Sequence, residues 1–226
     1  VEDVLNAAGE SGARLITFSE RDPAATVLAT DVRKQGRDIL FRVRTPRFSR
    51  EFRLTMPGLF NVQNALAAIA VCEGLGIPEQ HIYVGLMKAR VPGRMEVYQN
   101  ADSHITAIVD YAHNRLSFEK LFLSVKAEYP GQRVVIVFRC PGNKAMERRK
   151  DLSEISAKYA DKVIITEEDP GEEDVLDISR EMAAHIEGKC DYSIEPDRGE
   201  AIRMAVMRMT VGALSLIHIS EPTRLQ

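Results

Sequence analysis

Polar and charged residues follow three strand-like runs in the second half of the chain. The runs 105–110, 133–138 and 162–166 end in or lead into the sequences DYAHN, RCPGNK and EEDPG. In open parallel sheets, ligands bind at the carboxyl ends of the strands. These three segments are therefore the predicted binding site.

Each segment permits a functional and a purely structural interpretation. Asp110 can accept both hydroxyls of a ribose, or it can cap the helix that follows. The acidic run from Glu167 to Asp174 can hold a cationic substrate group, or it can be a solvated loop before a helix N-terminus. His113 has no partner at metal-ligand spacing, so the residues predict no metal site. The sequence contains neither GxGxxG nor GxxxxGK[ST], and no phosphate-binding loop is expected within it.

Composition excludes several classes of protein. The 226 residues carry 30 basic and 33 acidic side chains, a net charge of −3, which does not suit a nucleic-acid-binding domain. No run approaches the roughly 20 apolar residues that span a bilayer, and the N-terminus has no signal-peptide pattern. Three widely spaced cysteines favour neither disulfides nor a metal centre. The sequence predicts a soluble, cytoplasmic, monomeric protein without nucleic-acid or membrane partners.

The first 90 residues predict a small antiparallel sheet followed by two helices. Apolar and charged residues alternate from Ile39 to Arg44, as in a sheet with one exposed face. Asn61 is placed to cap the first helix, 61–75, and Pro78 begins a second helix that ends near Ala89. The predicted strands are 14–18, 26–31, 39–44 and 51–55.

Beyond the linker-like sequence VPGR at 91–94, strands and helices alternate. Continuous apolar strands between amphipathic helices are typical of a parallel sheet covered on both faces, so the predicted fold class is α/β with a Rossmann-like, mostly parallel sheet. The predicted strands are 105–110, 133–138, 162–166 and 191–194, and the helices are 115–129, 147–160, 174–187 and 197–209.

Both ends of the chain point to an incomplete protein. It begins without Met, in what reads as the middle of a helix. The periodic pattern stops near Val211, and the following residues match nothing before them. Residues 212–226 are therefore predicted to be a non-native tail and are excluded from the fold.

Three motifs, taken in order, resemble the Mur ligase family. They are FNVQNALAAIA at 60–70, VPGRMEV at 91–97 and VDYAHN at 109–114, and they are most similar to the branch that adds the third amino acid of the peptidoglycan stem. The resemblance implies that residues 1–90 are the C-terminal part of a central ATP-binding domain and that 91–211 are a truncated Rossmann-like C-terminal domain. The ATP-gripping loop and the magnesium ligands would precede Val1, and the last strand of the family would follow Val211.

The resemblance also implies an activity and a set of site residues. The activity is ATP- and Mg²⁺-dependent amide formation between UDP-N-acetylmuramoyl-L-alanyl-D-glutamate and a free amino acid, in peptidoglycan synthesis; the fragment alone would be inactive. Arg94 matches the hinge arginine that reaches the nucleotide, and it is the one implied catalytic residue. The other implied nucleotide contacts are Asn61 and Asn64 at the adenine, Asp110 at the ribose, and Tyr111 and His113 beside them.

The amino-acid selectivity loop departs from one pattern of the family. Diaminopimelate-adding members carry Asp-Asn-Pro-Arg, whose arginine pairs with the distal carboxylate of that substrate, whereas this chain has Glu168-Asp169-Pro170-Gly171. The resemblance therefore favours lysine or another basic amino acid over meso-diaminopimelate. Two alternatives stay open: a folylpolyglutamate-synthetase-like amide ligase, and a non-catalytic, Mur-ligase-like subunit that binds a partner.

Overall fold

The computed structural model describes residues 2–100, 105–207 and 213–219. The chain divides into two compact units, Val1–Arg90 and Val91–Gln226. Within the described part, every helix is too short or too polar to cross a membrane.

The first unit contains a four-stranded sheet and three helices. Their chain order is α1 (Glu2–Ser11), β1 (Phe18–Ser19), β2 (Val27–Gln35), β3 (Asp38–Arg44), β4 (Ser49–Leu54), α2 (Asn61–Gly74) and α3 (Glu79–Lys88).

The antiparallel pattern predicted for this unit is confirmed. β2, β3 and β4 pair antiparallel, and β1 joins β2 in parallel. Ile39, Phe41 and Val43 are buried, whereas Arg42 and Arg44 are exposed. The buried face packs on α2 in one apolar cluster, where each large side chain contributes about 1.5–3 kcal/mol. The predicted strand 14–18 is wrong in extent, since only Phe18 of that run lies in β1.

The predicted N-cap of α2 is wrong. Phe60 occupies the cap position, and Asn61 is the first helical residue. Asn61 is buried, and its side-chain amide instead donates to the Pro57 carbonyl at 2.6 Å. α3 begins at Glu79, with Pro78 as its N-cap rather than its first residue.

The second unit is a three-layer α/β domain. Its elements are β5 (Glu96–Asn100), β6 (Ile105–Asp110), α4 (Arg115–Glu128), β7 (Val134–Phe138), α5 (Glu147–Tyr159), β8 (Lys162–Ile165), α6 (Val175–Ala184), β9 (Asp191–Ile194), α7 (Arg198–Met207) and β10 (Leu214–His218).

The sheet of this unit has the order β5-β6-β10-β7-β8-β9. All neighbours pair in parallel except β5, which is antiparallel to β6. The predicted fold class is therefore confirmed, and the predicted strands and helices between 105 and 207 are present with ends that shift by a few residues. β5 was not expected, because its sequence EVYQN is mostly polar.

Helices cover both faces of this sheet. Ala201 and Ala205 of α7 pack against Val137 and its neighbours on one face. Phe118 of α4 contacts Phe138, whose side chain points to the opposite face because strand residues alternate. α5 lies beside both α4 and α6.

β10 forms the centre of the sheet, between β6 and β7. Leu214 lies opposite Thr106 and Val134, and His218 lies opposite Asp110. All residues of β10 are buried.

The exclusion of residues 212–226 from the fold is thus wrong for 214–218. The physical reason is that the apolar run LSLI suits a strand buried on both faces, whatever its relation to the sequence before it. A non-native origin of the segment stays a prediction, and residues 208–212 and 220–226 lie outside the described residues.

Candidate functional site

A cavity of about 730 Å³ lies at the carboxyl ends of β6, β7, β8 and β10. This edge is where a parallel sheet binds ligands. The three segments singled out in the sequence all contribute to it. The lining residues are Tyr111, His113, Arg139, Pro141, Lys144, Ala145, Arg148, Leu152, Glu168, Asp169 and His218.

The charges of the cavity are of both signs. Arg139 and Lys144 come from the segment after β7, Arg148 comes from the first turn of α5, and Glu168 and Asp169 come from the segment after β8. Burial lowers the pKa of Arg139, while Glu168 and Glu167 oppose that change. Within the described residues, Lys144, Arg148 and Glu168 have no ion-pair partner within 4 Å. The cavity therefore suits a ligand that carries both a carboxylate and an ammonium group.

The predicted selectivity residues 168–171 are divided by the structure. Glu168 and Asp169 line the cavity, whereas Pro170 and Gly171 contact the loop after β7. The Gly142 amide donates to the Asp169 carbonyl at 3.0 Å. A Cβ atom on Gly142 would lie only 1.7 Å from the Pro170 carbonyl oxygen, so this approach requires glycine.

Arg149 forms polar contacts with both of these loops, and sequence reasoning missed it. Its side chain is only 2% exposed and pairs with Glu173 at 2.8 Å and Glu181 at 2.6 Å. It also donates to the Pro141 carbonyl at 3.3 Å. Glu173 in turn accepts from the backbone amide of Asn143, and Arg149 lowers the pKa of Glu173. Its place in the helical pattern could have revealed it, since Arg149 lies on the buried face of α5.

Arg94, Tyr111 and His113 form a cluster of contacting side chains, and Tyr111 and His113 also line the cavity. The Arg94 guanidinium carbon lies 4.5 Å from the centroid of the Tyr111 ring. The rings of Tyr111 and His113 are 4.7 Å apart, and His113 Nδ1 is 3.0 Å from the Tyr111 carbonyl oxygen. Three of the predicted nucleotide residues are therefore in direct contact.

Asp110 is buried at the end of β6, directly before Tyr111. Its side chain accepts from the Met95 amide at 2.8 Å and from the Ala112 amide at 2.7 Å, one at each oxygen. Burial raises the pKa of Asp110, and the hydrogen bonds from Met95 and Ala112, together with the charge of Arg94, work against that rise. The expectation that Asp110 caps the following helix is wrong, because Asn114 caps α4.

The predicted adenine contacts lie in the first unit. Asn64 Nδ2 donates to Asn61 Oδ1 at 2.9 Å, and Asn61 is held to the Pro57 carbonyl. Asn61 is buried and Asn64 is exposed. Only Asn64 therefore presents an amide to solvent, and Asn61 orients it.

His218 and Cys140 are two further buried titratable groups at this edge. Burial lowers the pKa of His218 to about 3, and Arg139 and Arg198 add to the effect. Neither ring nitrogen of His218 has a hydrogen-bond partner among the described residues. Burial raises the pKa of Cys140 to about 12, so this thiol stays protonated, as a structural residue would.

Two family models match the chain. The model described as "Mur ligase, glutamate ligase domain" matches residues 93–218, and "Mur ligase middle domain" matches residues 1–72. The chain belongs to the Mur ligase family, and the resemblance inferred from its motifs is confirmed.

Curated relatives of the chain are named as ligases of UDP-N-acetylmuramoyl-L-alanyl-D-glutamate. The UDP-N-acetylmuramoyl-L-alanyl-D-glutamate--2,6-diaminopimelate ligase of Alkaliphilus oremlandii is 35% identical over 85% of this chain and 39% of its own length. The UDP-N-acetylmuramoyl-L-alanyl-D-glutamate--L-lysine ligase of Streptococcus pyogenes is 41% identical over 72% of this chain and 33% of its own length. The chain thus spans well under half of these relatives.

Solved structures share the fold. MurF from Acinetobacter baumannii has a TM-score of 0.71 at 21% identity, over 99% of this chain and 47% of that one. The folylpolyglutamate synthase of Mycobacterium tuberculosis, solved with ADP and AMPPCP, has a TM-score of 0.78 at 17% identity, over 98% of this chain and 50% of that one.

Proposed function

We propose that the chain is part of a cytoplasmic, monomeric, ATP-dependent ligase that joins an amino acid to UDP-N-acetylmuramoyl-L-alanyl-D-glutamate. The observation that carries the proposal is the cavity, whose lining includes both cationic side chains and carboxylates. A free amino acid presents the same two charges. The relatives named as muramyl-peptide ligases support the choice of reaction.

In this reaction ATP phosphorylates the carboxylate of the muramyl peptide, and the amine of the amino acid then displaces phosphate. The residues of the second unit would bind and orient the amine. Lys144 and Arg148 pair with the α-carboxylate of the amino acid, and Glu168 and Asp169 hold the side-chain ammonium of a basic amino acid, so that the α-amine can lose its proton and attack. Fixing the nucleophile in this way lowers the entropic part of the barrier.

The proposed nucleotide contacts are the six residues implied by the motifs. The exposed Asn64 amide, oriented by Asn61, would read the edge of the adenine. Arg94 would serve the phosphates, because a guanidinium keeps its charge and matches the geometry of their oxygens. Tyr111 contacts Arg94 and His113 contacts Tyr111, so both would lie beside the nucleotide, and Asp110 would accept from the ribose hydroxyls.

Magnesium is assigned to no residue of this chain. The described ranges contain no group of three or more His, Cys, Asp or Glu side chains that could hold a metal ion. The proposed role of these residues is therefore confined to binding and orienting the substrates.

We propose lysine or another basic amino acid as the substrate. Position 171 is glycine, so the loop offers no arginine there for a second carboxylate, and Glu168 and Asp169 face the cavity instead. The curated relatives include both lysine- and diaminopimelate-adding ligases, so the preference rests on these side chains. The likeness to folylpolyglutamate synthase is a likeness of fold alone.

The test is turnover by the full-length gene product with UDP-N-acetylmuramoyl-L-alanyl-D-glutamate and ATP. Faster amide formation with lysine than with meso-diaminopimelate is the expected result. A clear preference for meso-diaminopimelate would overturn the proposed specificity, and no amide product with any amino acid would overturn the activity. The 226-residue chain alone is expected to be inactive, since its sequence has no phosphate-binding loop.

A further inference from the structure

We propose that Asp110 is a positioning residue, which fixes the turn 91–95 so that Arg94 lies over the Tyr111 ring. This role comes in addition to contact with a ribose, the role implied by the motif. Only its consequence for nucleotide binding rests on the proposed function.

The geometry of the turn explains why it needs an anchor. The Arg94 amide donates to the Val91 carbonyl at 3.1 Å, which closes the turn. On either side of Arg94 the backbone is left-handed, with φ of 70° at Gly93 and 49° at Met95. A left-handed conformation is unfavourable for Met95, because its Cβ crowds the backbone, so its surroundings must hold it there.

The Asp110 carboxylate supplies that hold. The pairing of Glu96 with Val109 is the last of the β5–β6 ladder, so Met95 and Asp110 follow it directly. Met95 is buried, and its amide would lack a partner without the Asp110 oxygen at 2.8 Å. The other oxygen binds the Ala112 amide, which fixes the backbone on the far side of Tyr111.

One carboxylate therefore hydrogen-bonds to both of the segments that carry the contacting side chains of Arg94 and Tyr111. Arg94 precedes Met95, and Tyr111 lies between Asp110 and Ala112. With both segments held, the Arg94 guanidinium stays 4.5 Å from the Tyr111 ring centroid. Asp110 itself is 3% exposed and each of its oxygens accepts a backbone amide, as an internal anchor requires.

The first experiment is NMR of the 226-residue chain without nucleotide, in which a role confined to ribose would produce no signal. Asp110→Asn is expected to speed exchange of the Met95 amide at least tenfold, as loss of about 1.4 kcal/mol of protection gives. The ring-current shift of the Arg94 side-chain protons should disappear. The same shift in folded Asp110→Asn protein as in wild type would overturn the proposal.

Two further variants guard this result. Asp161→Asn is the matched control, because the Asp161 carboxylate accepts from the Val134 amide at 2.8 Å, before β7. Asp161→Asn should leave the ring-current shift of Arg94 unchanged. Loss of that shift in Asp161→Asn would also contradict the proposal. If Asp110→Asn does not fold, Asp110→Glu keeps the charge and displaces it by one methylene, and it should also abolish the shift.

The second experiment compares ATP with 2′-deoxy-ATP on the full-length protein carrying Arg94→Gln, Asp110→Asn or both. A positioning role predicts that Asp110→Asn weakens binding of 2′-deoxy-ATP as well as ATP, and that the double variant binds 2′-deoxy-ATP no more weakly than Arg94→Gln alone. Unchanged affinity of Asp110→Asn for 2′-deoxy-ATP would overturn it. If the wild type binds neither nucleotide, the proposed function fails, and the NMR result still decides the role of Asp110.

Discussion

Gly142 and Pro170 approach so closely that the two loops after β7 and β8 behave as one wall of the cavity. The hypothetical Cβ of residue 142 would lie 1.7 Å from the Pro170 carbonyl oxygen. Because that neighbour is backbone, it cannot move aside without displacing Asp169, whose carbonyl accepts from the Gly142 amide. The arrangement of the charged side chains therefore depends on glycine, with no side chain, at position 142.

Gly142→Ala is expected to destabilise the protein by about 1–3 kcal/mol, the usual cost of overpacking. The free energy of unfolding in urea measures it. Gly85→Ala is the control, because nothing lies within 4 Å of a Cβ there and α3 should gain about 0.5–1 kcal/mol. Equal stability of Gly142→Ala and wild type would show that the loops separate freely.

Arg149→Met should cost about 3 kcal/mol of stability, since it removes a buried charge that satisfies Glu173, Glu181 and the Pro141 carbonyl. Arg180→Met removes an exposed ion pair with Asp177 and should cost less than about 0.5 kcal/mol. Thermal unfolding of the two variants compares them directly. Similar melting temperatures would contradict the role given to Arg149.

His218 should make the protein less stable in mild acid. Its pKa is lowered from 6.5 to about 3, so between these values the unfolded chain binds a proton that the folded chain does not. Stability should fall by up to about 1.4 kcal/mol per pH unit as the pH drops below 6.5.

His218→Leu removes that titration together with two ring nitrogens that have no partner among the described residues. We expect equal or greater stability at pH 7 and a flatter pH dependence between pH 6 and pH 4. Urea unfolding across that range is the measurement. An unchanged slope in the variant would mean that other groups cause the acid sensitivity.

Much of the fold followed from local patterns, whereas the site depended on packing between distant segments. The alternation of Ile39 with Arg42, and the apolar run 134–138, each determine which faces of a strand are buried. β10 could not be predicted, because Leu214 gains its neighbours Thr106 and Val134 only when the sheet assembles.

The site residues show the same division. The strand-end rule brought Tyr111, Lys144 and Glu168 to one cavity. It could not show that Asp110 turns inward to the Met95 amide, since that depends on a left-handed residue fifteen positions earlier in the chain. Nor could it show Arg149, whose partners come from two later segments.

The central claim is that the cavity binds an amino acid through its cationic and its acidic side chains. Calorimetric titration of lysine into the full-length protein tests it most directly, with Lys144→Glu compared against Lys150→Glu, an exposed residue of α5 outside the cavity. We expect wild-type affinity for Lys150→Glu and at least a tenfold weaker affinity for Lys144→Glu, as loss of about 1.4 kcal/mol gives. Unchanged lysine binding by Lys144→Glu would contradict the account.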